Sequence, residues 1–170
     1  NAGVSVRPTD EFYVTFGGAN AYGSTNVNDW STLGDGDYFG FAEFGYTPRF
    51  EGLGWGRYAL LIWNMPTREN TGQPSDSGFS VMLEQDFGAN LHAFGRYGWA
   101  ADGTTGIKQA GEVGVGYRGL LGSPDNLTGL AVGISEPTAS GLRDEKVIEL
   151  FHRFQLTPYS QLTFGIQGIF

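Results

Sequence analysis

Short and long connections alternate strictly along this chain, and that parity limits its fold more than any single motif does. Segments of period-2 alternation run over 11–21, 37–47, 54–65, 78–87, 90–101, 110–120, 127–135, 144–156 and 161–170, after a stub at 3–7. Alternation of this kind marks strands with one face unlike the other. A tilted strand needs about 9–11 residues to cross a bilayer, and these segments are of that length. Tight turns fall at 7–10, 47–52, 88–89, 122–126 and 157–160, and longer polar connections at 22–36, 66–77, 102–109 and 136–143. An up-and-down outer-membrane barrel has this arrangement, with short periplasmic turns and longer outer loops. A sandwich with Greek-key crossings has no reason for it. The expected fold is therefore all-β: an antiparallel, up-and-down transmembrane β-barrel segment forming a single unit over residues 1–170.

Composition narrows the choice further. The chain holds 28 Gly in 170 residues, about twice the usual share, interleaved with aromatics rather than run together. Glycine is poor in helices, and beside Phe, Tyr and Trp it points to strands bent around a curved surface. A net charge of −8 with only 10 basic residues leaves no electrostatic footprint for nucleic acid. There is no Cys, which excludes disulfides, thiolate zinc sites and cysteine nucleophiles. No apolar run reaches membrane-helix length; the longest candidate, 59–63, is strand-sized. No signal-peptide pattern heads the chain, so its start reads as a mature or truncated one.

The alternation sorts side chains into two faces. Phe12, Val14 and Phe16 oppose Glu11, Tyr13 and Thr15. Phe79, Val81, Leu83 and Phe87 oppose Ser80, Met82, Glu84 and Asp86. Val113, Val115 and Tyr117 oppose Glu112 and Arg118, and Leu162, Phe164 and Ile166 oppose Gln161, Thr163 and Gln167. No amphipathic helix or differently patterned sheet is present in the sequence to cover the apolar face, so lipid is its expected cover. Tyr22, Trp55, Tyr58, Trp63, Tyr97, Trp99 and Tyr159 fall near strand boundaries, as interfacial girdles require. The polar face carries the candidate pore-lining set: Glu43, Arg57, Glu84, Asp86, Arg96, Glu112, Arg118, Glu149 and Arg153. Charges of both signs on adjacent strands set up a transverse field and can hydrogen-bond a polyhydroxyl solute without trapping an ion of either sign. Tyr13, Phe39 and Phe41 share that face and offer planar surfaces to a sugar ring.

Other motifs carry less. Gly114, Gly116 and Gly119 spell a dinucleotide fingerprint, but they lie within a strand with no helix after it. Asn26, Asn28, Asp29, Asp35 and Asp37 make an oxygen-rich loop without calcium-loop spacing. His92 and His152 lack an evident nucleophile partner other than Ser80. No catalytic residue, metal site or cofactor is expected.

The C-terminal part has a family likeness. Residues 143–158, ending in Glu149-Leu150-Phe151-His152-Arg153-Phe154-Gln155-Leu156-Thr157-Pro158, resemble the penultimate hairpin of the carbohydrate-selective, OprB-like porins, and the next strand opens Gln161-Leu162-Thr163 as theirs does. Gly114-Val115-Gly116-Tyr117-Arg118-Gly119-Leu120, Pro124-Asp125-Asn126 and Gly129-Leu130-Ala131-Val132-Gly133 are similar to the hairpin before it. The likeness implies a barrel of about sixteen strands in the outer membrane of a Gram-negative bacterium, passing sugars by diffusion. It also implies contact with outer-membrane lipid and lipopolysaccharide, and is compatible with a homo-oligomer or a larger envelope assembly. The chain supplies about nine to ten strands, too few for a sugar-sized pore. Phe170 ends a strand that leaves a periplasmic turn and so runs outward. Strands are therefore expected to be missing on both sides. Two rival readings are a small closed outer-membrane barrel, structural or enzymatic, and a soluble β-sandwich carbohydrate-binding module.

Overall fold

The computed structural model describes residues 2–21, 34, 37–68, 72–102, 104 and 106–170. Its strands are β1 (Ala2–Val6), β2 (Phe12–Asn20), β3 (Tyr38–Tyr46), β4 (Arg49–Phe50), β5 (Gly54–Met65), β6 (Asp76–Phe87), β7 (Leu91–Ala100), β8 (Ile107–Arg118), β9 (Leu127–Pro137), β10 (Glu145–Thr157) and β11 (Ser160–Ile169). They pair in chain order as β1-β2-β3-β5-β6-β7-β8-β9-β10-β11, with the short β4 folded back on β5. Every pairing is antiparallel. The sheet is open: β1 pairs only with β2, and β11 only with β10. Among the described residues no helix is long and apolar enough to cross a membrane.

Strand limits lie within three residues of those read from alternation; the largest shift is at the start of β8, Ile107 rather than Ala110, and three further departures bear on the rims. The two-residue β4 sits inside the expected turn at 47–52, where Pro48 is fully buried. The strand expected to reach Leu120 stops at Arg118, because Gly119 takes a left-handed φ of 88° and Leu120–Gly122 forms a 3-10 turn. Leu121 also has a left-handed φ of 58°, which is costly for a side chain with a Cβ. Asn126 holds that turn in place: its buried amide donates to the carbonyls of Leu120 (3.3 Å) and Leu121 (3.4 Å), and its Oδ1 accepts from the Gln155 amide (3.1 Å). The third departure is at the other rim, where β6 begins at Asp76 rather than Gly78.

Asp76 is 2% exposed. Its carboxylate accepts from the amides of Ser77, Asp102 and Thr104 and from the Thr104 hydroxyl, at 2.7–3.0 Å, tying the β7–β8 connection to the start of β6. Hydrogen bonds to a charged group contribute roughly 1.5–3 kcal/mol each at most, and their losses do not add. Asp76→Ala is therefore expected to make the 101–106 connection cleavable by protease added outside, with the strands still protected. Unchanged resistance would show that the loop is held by something else.

Packing shows where the apolar surface goes. The only buried apolar residues among those described, apart from Pro48, are Ala59 and Ala100. Val113 is 58% exposed and Ile166 72%, and Phe12, Phe16, Leu60, Ile62, Leu83, Leu130, Val132, Ile148 and Phe164 are exposed as well. A soluble sandwich buries this set between two sheets; here one side of a single sheet presents all of it, uncovered. Contiguous apolar surface on that scale calls for a nonaqueous neighbour. The facing expected for Val113, Val115, Phe79, Val81, Leu83, Leu162, Phe164 and Ile166 agrees with the register, which puts them on one side of the sheet.

Candidate functional site

Residues directly opposite in an antiparallel pair share a face, so the register fixes the polar face row by row. One row joins Arg57 to Glu84 and Phe94, then Gly114, Ala131, Glu149 and Gln167. The next, toward the short turns, joins Asp86, His92, Gly116, Gly129 and Phe151. Another joins Met82, Arg96, Glu112, Gly133 and Val147, and a fourth joins Arg118, Leu127 and Arg153. Glu43 stands opposite Thr15 and Leu61, and reaches the same face two residues along from Gly45, Ala59 and Met82. All nine charged residues singled out by alternation lie on this one face. So do Tyr13, Phe39 and Phe41.

The face divides into two electrostatic regions. Across β2–β8, phenol, carboxylates and guanidiniums interlock. Tyr13 donates its hydroxyl to Glu43 Oε1 (2.5 Å) and accepts from Arg57 Nε (3.3 Å) and Nη2 (3.2 Å); Arg57 also meets Glu43 at 3.5 Å. Arg96 spans two strands, with Nη2 on Glu84 and Nη1 on Glu112, both at 3.4 Å. Its guanidinium also lies 5.4 Å from the Phe94 ring centre. Both arginines are about half exposed, so the pairs contribute little stability; they fix the positions of charges along the wall. His92 Nδ1 meets Asp86 Oδ1 at 2.9 Å.

The other region, on β8–β10, is unlike the first. The expectation that each arginine finds acidic neighbours across strands fails at Arg118 and Arg153. Leu127 separates them in their register row, and no carboxylate lies within ion-pair distance of either among the described residues. Glu149 likewise makes no hydrogen bond or ion pair there. Its cross-strand neighbours are Ala131 and Gln167, which explains why no arginine reaches it.

Aromatic rings pack on this face in a pattern that sequence reading did not reveal. Tyr13 leans over Gly45, Phe41 over Gly17, Trp63 over Gly78, Phe94 over Gly114 and Phe151 over Gly129. In each case the ring fills the place where a Cβ on that glycine would stand. All five are direct register partners. Glycine thus lets a ring lie along the polar face instead of projecting from it, and the excess of Gly beside aromatics acquires a steric cause. Trp55 and Trp63 depart from the girdle expected near strand ends: both lie an even number of residues from Arg57 on β5 and so share its face, and Trp63 packs 6.4 Å from Phe39 between ring centres. Tyr58, Tyr97 and Trp99 are on the apolar face. Tyr22 lies outside the described residues.

The weaker motifs resolve simply. Gly114 and Gly116 are inside β8 and Gly119 ends it; no helix beyond a three-residue turn follows. Ser80 and His92 share the polar face but are separated by six residues of β6, from Ser80 to the His92 partner Asp86, roughly 20 Å. They form no catalytic pair. His152 lies on the apolar face, where its Nδ1 meets Thr128 Oγ1 at 2.7 Å. The loop with Asn26, Asn28, Asp29 and Asp35 lies outside the described residues; among those described, no group of His, Asp or Glu could hold a metal ion.

Comparison with known proteins agrees with this architecture. The family model of the carbohydrate-selective porin, OprB family, matches residues 2–170. No curated protein sequence matches the chain. Among solved structures, it is similar to the high-pH structure of Pseudomonas putida OprB, with a TM-score of 0.80 and 18% identity, covering 98% of this chain and 52% of that one. The chain thus spans about half the length of that protein, with the same fold. An eleven-stranded antiparallel arc with one charged and one apolar face, matched over nearly its whole length by the family model, belongs to the carbohydrate-selective porin, OprB family.

Proposed function

We propose that this chain forms part of the wall of a water-filled outer-membrane barrel through which carbohydrates diffuse passively. Proteins of the family lie in the outer membrane of Gram-negative bacteria. One observation carries the reading: Glu43, Arg57, Glu84, Asp86, Arg96, Glu112, Arg118, Glu149 and Arg153 share a face, while the opposite face is apolar and exposed. Lipid covers the apolar face, and water and solute fill the other. No bond is made or broken in transit. Acids and arginines held across from one another give a solute hydroxyl both acceptors and donors along the wall. Each contact must be weak and repeated, because tight binding would stop conduction. The interlocked charges on β3–β8 keep those groups in place without consuming all of their hydrogen-bonding capacity.

Liposome swelling tests the reading. Vesicles holding the complete barrel of which this chain is a part should swell in isosmotic glucose faster than protein-free vesicles, with the rate falling as the sugar grows. Vesicles that conduct ions yet exclude glucose would overturn it.

A further inference from the structure

Both lysines of these 170 residues, Lys108 and Lys146, stand on the apolar side of the sheet. Arg57, Arg96, Arg118 and Arg153 all stand on the other side. Lys146 pairs with Ile134, in the row that also holds Val81, Tyr97 and Gly111. It is exposed, and its amine has no ion-pair or hydrogen-bond partner among the described residues. Lys108 sits in a bulge between Ile107 and Gln109, and its amine meets Glu136 Oε1 at 3.8 Å. A bulge re-aims a side chain, and this one turns Lys108 to the side that Gln109 and Glu136 share with Trp99. Gln109 donates to Glu136 Oε2 and accepts from the Tyr97 hydroxyl at 2.7 Å, so the carboxylate is already engaged on both oxygens. This polar group lies where β7 ends and β8 begins, and where β9 ends and β10 begins; those longer connections face outward. Tyr97 and Trp99 mark the same level as the membrane interface.

On the same side, Gly95 and Gly111 occupy adjacent rows of β7 and β8 and leave a trough in the apolar face. The hollow measures about 780 Å³ and is walled by Tyr97, Val113, Val132, Ile134 and Ile148, with Lys146 at its outer end. Arg96 and Glu112 border it too, but by register their side chains belong to the polar face, where they pair with each other.

We infer that the trough and its two lysines bind one phosphorylated, multiply acylated glycolipid of the outer leaflet, the chemistry of the lipid A part of lipopolysaccharide. The inference rests on the placement of the barrel in the outer membrane. Lipid surrounds this face in any case, and its tails are as apolar as leucine, so the trough alone selects nothing. The lysines select. A lysine stem lies along the apolar wall while its amine rises to headgroup level, where charge on the lipid side costs little. Lys146 keeps all three donors unspent, and Lys108 adds a second ammonium from the far side of β9. Two cations held apart suit a headgroup with two phosphates better than one with a single charge. The chain is net acidic, at −8, so composition does not account for a basic pair at one height. A second copy is the poorer occupant, because a two-fold axis brings the same lysines face to face.

Native mass spectrometry of the complete barrel of which this chain is a part, incubated in detergent with lipid A or with phosphatidylglycerol, reads the site. Wild type should retain one lipid A in preference to phosphatidylglycerol. Lys108→Ala with Lys146→Ala should weaken lipid A binding roughly tenfold or more, and Lys108→Arg with Lys146→Arg should keep most of it. Gly111→Leu is the independent variant. A Cβ there meets nothing closer than 3.6 Å, so the strand accepts it while the side chain fills the trough, and retention should fall. Glucose swelling should be the same in all of these, because none of the substituted residues faces the lumen. A wild type that retains no lipid A, or retains it no better than the double alanine variant, would overturn the site and leave the channel reading intact. Equal binding of phosphatidylglycerol would overturn it as well, as would a dimer that disperses in Gly111→Leu. Failure of the wild type in the swelling assay would instead count against the channel reading, since lipid A retention is measured separately.

Discussion

Val132→Arg is expected to prevent stable membrane assembly, while Ala131→Arg, one residue away, leaves assembly intact. Val132 stands between Val113 and Ile148 on the apolar face and is 44% exposed, with nothing polar across either pairing. An arginine on the lipid side of a barrel costs about 2–4 kcal/mol near the bilayer centre, a large part of the stability of an ordinary domain. Ala131 points the other way, directly opposite Glu149, so an arginine there finds water and a carboxylate. Urea titration of the two variants in lipid vesicles, followed by tryptophan emission, separates the cases. The expected result is a much lower midpoint for Val132→Arg and a near-native one for Ala131→Arg. Equal losses at both positions would contradict the division of faces.

The second large effect is electrical. Arg96 is the only cation bridging Glu84 and Glu112 among the described residues; Arg96→Ala removes the ion-pair partner of Glu112 and leaves Glu84 with only its register partner Arg57 nearby. A unit charge about 4 Å away in a watery passage shifts an ion's energy by ~1 kcal/mol, which corresponds to roughly a fivefold change in a permeability ratio. Reversal potential in a potassium chloride gradient should therefore move toward cation selectivity by about that factor, less at high salt, where the charges are screened. Arg96→Lys should retain much of the wild-type value. If Arg96→Ala leaves the reversal potential unchanged, the Arg96 cluster does not face the conducting path.

Much of this architecture was legible because it is written in integers. Strand parity counts in twos, so Glu112 and Val113 take opposite faces whatever their neighbours do. The alternation of short and long connections likewise persists when any one boundary shifts by two residues. Trp63 was also readable, since it lies six residues from Arg57 and therefore shares its face; its position near a strand end suggested a girdle instead. The offset between neighbouring strands could not be counted in this way. That offset decides that Glu112 and Arg96 meet while Glu149 stands opposite Ala131. It also decides that Phe94 falls on Gly114 and Phe151 on Gly129. Register comes from turn geometry such as the left-handed Gly119 and Leu121, held by Asn126, and no single segment's pattern contains it. The charged face was therefore plain from the sequence, while its division into interlocked charges on one side and the unpaired Arg118, Glu149 and Arg153 on the other was not.

These 170 residues hold no cysteine, so an engineered cysteine is the only thiol within them. Accessibility of single cysteines to a charged, membrane-impermeant thiol reagent, in intact vesicles, tests the central claim most directly. Cysteine at Glu112, Ala131 or Glu149 should react readily because water fills that side of the sheet. Cysteine at Val113, Val132 or Ile148, each adjacent in the chain to one of those positions, should be protected by lipid. Alternating reactivity along β8, β9 and β10 is the predicted result; uniform reactivity, or protection of the charged face, would contradict an aqueous lumen lined by these residues.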